Sequence, residues 1–99
     1  MGSHNLNMEI KGQDKERFLK TFRKIQDAER REYGTDPYSG TWATIPGVTI
    51  VSDPYPNRKW TSKKKDEVLQ WIEDNTRKWE NAKAVKTSNS FLVAGWAVS

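Results

Sequence analysis

The sequence predicts an α+β domain in which an antiparallel sheet of three or four strands has two helices packed on one face. Two stretches repeat apolar residues every three or four positions, which is the period of an amphipathic helix. Two other stretches are rich in β-branched and aromatic residues and are bounded by turn formers, as strands are. They follow one another as helix, hairpin, helix, hairpin, and this mixture favours helices packed against an antiparallel sheet.

We expect residues 1–12, which include a vector-like start, to form a disordered tail before a single domain over residues 13–99. The start Met1-Gly2-Ser3-His4 is typical of an expression-vector remnant. The natural start is then either Met8 or Met1. If it is Met8, the only histidine, His4, does not belong to the natural chain.

Residues 14–33 are predicted as the first helix, with Asp14 as its N-cap and Gly34 just after its end. The opposite face mixes basic and acidic residues, so we expect exposed intrahelical ion pairs, each worth about 0.2–0.5 kcal/mol. The apolar stripe of this helix consists of Phe18, Leu19, Phe22, Ile25, Ala28 and Tyr33.

Two copies of the tripeptide Asp-Pro-Tyr, at residues 36–38 and 53–55, enclose a β-rich segment. Proline fixes φ and aspartate bonds its own backbone, so these tripeptides are predicted to form ordered turns. Between them, the sequence predicts a hairpin of residues 41–45 and 48–51 around Pro46-Gly47. A single strand kinked at Pro46 is the alternative, because a type II turn matches hairpin twist poorly.

The second helix is predicted over residues 63–79, with Thr61 or Ser62 as its N-cap. Three lysines occupy its first turn, where the helix dipole disfavours positive charge, and this placement is a weak indication of function. The buried face of the helix is predicted to contain Val68, Leu69, Ile72, Thr76 and Trp79.

Residues 82–87 and 91–98 are predicted as two strands joined by the polar turn 88–90. The last strand is almost continuously apolar, which is typical of a strand covered on both faces or placed centrally. If it lies at an edge, it offers a pairing site for a second chain. Gly95 is expected at a bulge or at a close approach of backbone. We also expect Trp79 and Trp96 in the core, whereas Trp60 and Trp71 are candidates for exposure.

The composition favours a partner with acidic character. Seventeen basic and thirteen acidic residues give a net charge of +4, which favours nucleic acid or an acidic protein surface. The chain has no cysteine, which excludes disulfides and thiolate metal sites and suits the cytoplasm. No apolar run reaches the roughly 20 residues that span a bilayer, so no membrane contact is expected. Neither a metal nor another cofactor is expected.

Five of the eight residues 58–65 are basic, and they surround Trp60 at the start of the second helix. Helix amides, hydroxyls and lysines suit phosphate, and Trp60 suits stacking on a base. The alternative is a solvated helix start with Trp60 in the core. The predicted binding residues are Tyr38, Tyr55, Arg58, Lys59, Trp60, Lys63, Lys64 and Lys65.

No group of residues in the sequence has the composition of a known catalytic site. Asp36, Asp53 and Glu32 are the carboxylates near the aromatic loops, and aspartate before proline is more simply a turn former. The leading hypothesis is therefore a non-enzymatic binding protein that occupies a protein or a protein–nucleic acid assembly. Direct DNA or RNA binding by residues 58–65 is the alternative, and a small carboxylate hydrolase is least favoured.

One segment resembles a known group of sequences. Residues 32–41 read Glu-Tyr-Gly-Thr-Asp-Pro-Tyr-Ser-Gly-Thr. This segment resembles one in small, mostly uncharacterised proteins of bacteriophages and other mobile elements, in which Glu-Tyr-Gly ends a helix and Tyr, Ser or Asn, and Gly-Thr follow. The resemblance implies a phage origin, location in the host cytoplasm and a role directed at a host system.

Overall fold

A computed structural model describes residues 3–33, 41–77 and 79–98. They form two helices and a four-stranded mixed sheet, so the predicted α+β class is confirmed. In chain order the elements are β1 (Ser3–Lys11), α1 (Lys15–Tyr33), a short 3-10 helix (Trp42–Thr44), β2 (Val48–Val51), α2 (Ser62–Asp74), β3 (Ala82–Lys86) and β4 (Ser90–Val98).

The strands lie in the order β1-β4-β3-β2, and the sheet is not purely antiparallel as predicted. β4 is antiparallel to both β1 and β3, but β2 and β3 are parallel. A parallel pair requires a crossover connection, and α2 provides it between β2 and β3. Because β4 has a neighbour on each side, it is a central strand and not the free edge that pairing with a second chain would need.

The helices lie on opposite faces of the sheet, so the prediction that both pack on one face was wrong. Phe18 and Phe22 of α1 belong to one apolar cluster, whereas Val68 and Ile72 of α2 belong to another. The chain crosses the whole sheet between β1 and β2 and then returns to β3. Both connections are crossovers between parallel strands, which are right-handed in nearly all proteins. Because the two crossovers move across the sheet in opposite directions, a right-handed path places their helices on opposite faces.

The apolar run of β4 serves both faces. Phe91 and Val93 pack in the α1 cluster, while Leu92 and Ala94 pack in the α2 cluster. The ring of Phe18 stacks on Phe91 with 4.4 Å between their centroids. Because successive side chains of a strand point to opposite faces, only a continuous apolar sequence can fill both clusters.

The predicted disordered tail is largely a strand. All nine residues of β1 pair with β4, from Ser3 opposite Val98 to Lys11 opposite Ser90. Leu6, Met8 and Ile10 alternate along β1 and pack against the α1 cluster. Polar residues separate these three apolar ones, which is the period-two pattern of a strand with one covered face, and the prediction of a tail overlooked it.

The predicted hairpin over residues 41–51 was wrong. Its first half is the 3-10 helix, where Trp42 is buried with its ring 5.6 Å from that of Phe22, edge to face. The side-chain amide of Gln26 donates to the carbonyl oxygens of Trp42 and Ile45, at 3.1 and 2.7 Å. Gln26 thereby satisfies carbonyls that the predicted hairpin would have paired.

Helix α2 ends at Asp74, earlier than predicted, and this changes the environment of Trp79. Asn75 caps the helix with its backbone N–H on the carbonyls of Trp71 and Ile72. Trp79 lies beyond the helix at φ +74° and is 51% exposed. The prediction that it belongs to the core was therefore wrong. Helical periodicity does not apply after the helix has ended, so it misplaced this ring.

Gly95 lies where two elements approach closely, as predicted. A methyl group on Gly95 would lie 2.9 Å from the Ala82 side chain and 3.1 Å from Cδ1 of Ile45. We therefore expect Gly95→Ala to lower the free energy of unfolding by about 1–3 kcal/mol through overpacking. Urea denaturation followed by tryptophan fluorescence measures this change.

Gly47→Ala is the matched control for that substitution. Its added methyl group would find the Asn81 side chain at 3.5 Å, an ordinary contact distance. We expect Gly47→Ala to leave the stability unchanged or to raise it by up to about 1 kcal/mol. Equal loss of stability in both variants would contradict the close packing at Gly95.

Candidate functional site

Three strands of the sheet end on the same side of the molecule. β1 and β3 are both antiparallel to β4, and β2 is parallel to β3, so β1, β2 and β3 share one direction. The chain leaves the end of β1 to enter α1, and it leaves the end of β2 through residues 52–61 to enter α2. In sheets with parallel strands, ligands bind beyond the carboxyl ends of the strands, so a binding site is expected on this side.

The ammonium group of Lys64 holds the loop after β2 in place. Its side chain is 1% exposed, and Nζ lies 2.7 Å from Oδ2 of Asp53 and 2.7 Å from the carbonyl oxygen of Arg58. Nζ also lies 4.0 Å from the centroid of the Trp60 ring, a cation–π contact. Lys64 was predicted as a partner-binding residue, but it binds residues 53–60 of its own chain.

Asp53 acts as the turn former that the sequence predicted. Its Oδ1 accepts the backbone N–H of Tyr55 at 2.8 Å, and its Oδ2 accepts the Lys64 ammonium group. Both carboxylate oxygens are therefore engaged in holding the loop. Asp36 and Tyr38, from the other Asp-Pro-Tyr copy, lie outside the described residues.

Two further cations of the predicted patch are paired within the chain. The guanidinium group of Arg58 forms an ion pair with Glu67 and lies 5.5 Å from the centroid of the Tyr55 ring. Lys65 Nζ lies 2.9 Å from Oε2 of Glu9 on β1. These pairs neutralise most of the positive charge that the sequence concentrates in residues 58–65.

Lys59 and Lys63 are the cations of this patch that face solvent without an ion pair among the described residues. Between them, Thr61 is the N-cap of α2, and its Oγ1 accepts the backbone N–H of Lys64 at 3.2 Å. The Asp53 carboxylate, held beside the first turn by Lys64, supplies the negative charge that a helix start favours.

The aromatic side chains of the loop are neither fully buried nor fully exposed. Tyr55 and Trp60 are half-buried and pack against the apolar cluster under α2. Each ring therefore presents one part to the core and another to solvent. Of the predicted site residues that the structure describes, Tyr55, Arg58 and Trp60 are joined through contacts with one another or with Lys64. Lys65 instead reaches Glu9 on β1.

A second basic region lies at the same end of the molecule but on the other face. Helix α1 and the end of β1 border a cleft of about 430 Å³ that includes Lys11, Arg17, Lys20 and Lys24. Sequence reasoning missed it because the acidic residues of α1 suggested ion pairs. Among the described residues, Arg30 with Asp27 is the only ion pair within α1.

The sequence also gave no indication of a polar network between β1 and β4. The buried Ser90 hydroxyl donates to Oε2 of Glu9 at 2.5 Å and lies 2.7 Å from the Thr87 hydroxyl. The hydrogen bond from Ser90 and that from Lys65 lower the pKa of Glu9 below its ordinary value, and the charge of Lys11 adds to the effect. This network joins the end of β1 to α2.

Neither a metal centre nor a membrane segment is found among the described residues. No group of three or more histidine, cysteine or acidic side chains is placed to hold a metal ion there. No helix in those residues has the length and apolar character needed to cross a bilayer.

The buried Lys64 leads to a prediction about stability. Lys64→Met keeps the side-chain length but leaves Asp53 Oδ2 and the Arg58 carbonyl without their donor. We expect it to lower the free energy of unfolding by about 2–4 kcal/mol, since removing one partner of a buried ion pair leaves the other uncompensated.

Lys63→Met is the matched control, because Lys63 is adjacent in sequence and exposed. Its effect on stability should stay within about 0.5 kcal/mol, as for most surface substitutions. Urea denaturation of both variants tests the difference. Equal stability of the two variants would show that the Lys64 contacts do not hold the loop.

The lowered pKa of Glu9 leads to a prediction about pH. Since the folded-state pKa lies below the unfolded value, the charged Glu9 stabilises the fold above the unfolded pKa. This stabilisation is lost as pH falls through the folded pKa. We expect Glu9→Gln to be less stable than the parent at neutral pH and to approach it in acid.

Thermal unfolding of both proteins between about pH 3 and pH 7 measures this convergence. Glu80→Gln, at an exposed residue outside the helices and strands, is the control and should show no such convergence. A constant difference between the parent and Glu9→Gln at every pH would contradict the electrostatic explanation.

Comparison with known proteins adds no relative. No protein family model, curated protein or solved structure matches this chain. The resemblance of residues 32–41 to phage proteins stays a prediction, and the proposed function depends on the geometry of the site.

Proposed function

We propose that this chain is a non-enzymatic binding protein that docks residues 53–63 against an acidic surface of a partner protein. We call these residues the loop–helix surface. The observation that supports the proposal is the way Lys64 holds the loop from below, with contacts to Asp53, Arg58 and Trp60. Satisfied buried polar contacts of this kind rigidify the groups they join, so the loop has one defined shape.

A fixed loop lowers the cost of association. Ordering a loop or a side chain on binding opposes affinity, by about 0.5–1.5 kcal/mol for each flexible side chain that is immobilised. Here Tyr55 and Trp60 are already packed against the core, and the Arg58 guanidinium group is already held by Glu67. Tyrosine, tryptophan and arginine are the residues that most often dominate binding energy at interfaces.

The exposed charge favours an acidic partner. Lys59 and Lys63 lie on either side of the helix cap without ion pairs among the described residues, and the whole chain has a net charge of +4. Complementary charge mainly increases the rate of association and fixes the orientation of the partner. The half-buried rings of Tyr55 and Trp60 supply apolar contact area.

Direct nucleic-acid binding by this same surface is the second candidate, and the ion pairs argue against it. A protein gains affinity for DNA or RNA by neutralising phosphates. Arg58, Lys64 and Lys65 already have carboxylate partners, which leaves Lys59 and Lys63 for that task. The hydrolase hypothesis is weaker still, because Asp53 has both oxygens engaged.

The proposal retains three parts of the sequence prediction. Tyr38 remains a predicted contact residue outside the described residues. A phage origin, with a partner in the host cytoplasm, rests on the resemblance of residues 32–41. The lack of cysteine suits that compartment.

The double variant Lys59→Gln/Lys63→Gln tests the loop–helix surface. We expect it to lose most of the partner captured from a nuclease-treated bacterial lysate by the immobilised parent protein, since its exposed charge is removed while the buried anchor stays. Quantitative mass spectrometry of the bound proteins measures the loss, and about a tenfold decrease is expected for interface residues of this kind.

Arg31→Gln/Arg77→Gln is the control, because it removes the same charge from exposed positions at the opposite end of the helices. It should capture the partner as the parent does. If both variants lose the partner equally, only net charge matters. If neither loses it, the loop–helix surface is not the binding site.

A further inference from the structure

We infer that the cleft between the end of β1 and the first half of α1 binds the phosphodiester backbone of a nucleic-acid strand. We call it the β1–α1 cleft and define it by Lys11, Arg17, Lys20 and Lys24, which border it. This site is separate from the loop–helix surface, and it lies on the opposite face of the sheet.

The cleft has a rigid apolar floor. Ile10, Phe18 and Phe91 line it, and the two phenylalanine rings stack with 4.4 Å between their centroids. Each of these rings is only 2% exposed, so neither presents its face to a ligand. Aromatic stacking with bases is therefore not expected, and the cations above the floor are the groups that meet a ligand.

Three of the four cations that border the cleft lie on α1, namely Arg17, Lys20 and Lys24. The charge of the fourth, Lys11, acts on the Glu9 carboxylate. None of its four cations forms an ion pair among the described residues. Asp14 is the carboxylate that lines the cleft, and its Oδ1 accepts the backbone N–H of Glu16 at 2.9 Å. The basic run 58–65 differs in this respect, because carboxylates pair with three of its five cations, Arg58, Lys64 and Lys65.

The arrangement of these cations is unfavourable for the isolated protein. Arg17, Lys20 and Lys24 follow one another at spacings of three and four along α1, so they lie on one face of the helix. Like charges at these spacings destabilise a helix by a few tenths of a kcal/mol per pair. Lys11 borders the cleft from β1, but it alternates with Ile10 along the strand and shares the α2 face with Glu9. A bound anion relieves the repulsion within α1.

The row of cations suits a repeating anion. Arg17 and Lys24 are seven residues apart, or about 10 Å along the helix. That length corresponds to about three phosphate steps at the 3.4 Å rise of one strand in a helical stack. A single phosphate would engage only part of the row. Since the floor does not reach the bases, binding should not depend on their sequence.

The test uses labelled oligonucleotides of about 16 residues, as mixed-sequence DNA, mixed-sequence RNA and oligo-dT, with binding followed by fluorescence anisotropy. At about 50 mM salt we expect all three to bind the parent with affinities within about threefold of one another, because only the backbone is contacted. Unlabelled inorganic triphosphate serves as a competitor that has phosphates but no strand.

Lys20→Gln/Lys24→Gln is the variant that tests the cleft. We expect about a tenfold weaker affinity at low salt. The slope of log affinity against log salt should become shallower by about 0.7 for each lost phosphate contact. Arg31→Gln/Arg77→Gln and Lys59→Gln/Lys63→Gln should each stay within about twofold of the parent. Circular dichroism confirms that each variant folds.

Several outcomes would overturn the inference. They are failure of the parent to bind any oligonucleotide at about 50 mM salt, and unchanged binding in Lys20→Gln/Lys24→Gln. If triphosphate displaces the labelled oligonucleotide completely when both are present at the same concentration of phosphate groups, the cleft is instead a site for small phosphates. Weakening only in Lys59→Gln/Lys63→Gln would assign nucleic-acid binding to the loop–helix surface. Failure here leaves the protein-docking proposal standing, because the two sites share no residue.

Discussion

The burial of β4 on both faces is the constraint on which the rest of this structure depends. Its alternating side chains need an apolar cover above and below the sheet, and α1 and α2 supply one each. Its two edges are paired with β1 and β3. Because β1 and β2 share one direction, the helices that follow them both start beyond carboxyl ends on the same side of the sheet. The two basic regions of the molecule therefore lie at one end.

These regions differ in how their charge is compensated. In the loop–helix surface and the turn of α2 that follows it, a carboxylate faces each of Arg58, Lys64 and Lys65. Burial of Lys64 is tolerated because Asp53 and a carbonyl oxygen replace its hydration. Such pairs hold the loop in one conformation. The β1–α1 cleft has a floor of packed phenylalanine rings and cations without ion pairs among the described residues, so it would attract a ligand mainly through its charge. We propose a shaped protein surface for the first and a nucleic-acid backbone for the second.

Sequence patterns predicted the elements with a strong local signal. The stripe containing Phe18 and Phe22, the turn at Asp53 and the close approach at Gly95 all follow from local chemistry. The patterns failed where a distant contact decides the structure. Residues 42–45 depend on Gln26, which lies on α1, and nothing in their own sequence indicates this contact. β1 is different, because its alternating residues are a local strand pattern that the vector-like start obscured. Nothing in the sequence distinguishes Lys64 from Lys63 and Lys65. Its burial and its ion pair with Asp53 depend on the folded loop.

The sequence by itself determined the α+β class, the basic character and the location of the ordered loop, because each depends on composition or on short-range periodicity. Tertiary structure alone decided which cations are free. Ion pairs such as Lys65 with Glu9 join residues far apart in sequence, so a run of basic residues does not reveal whether its charge is available. Packing also decided the placement of the helices on opposite faces, since handedness constrains crossovers only once the strand order is set.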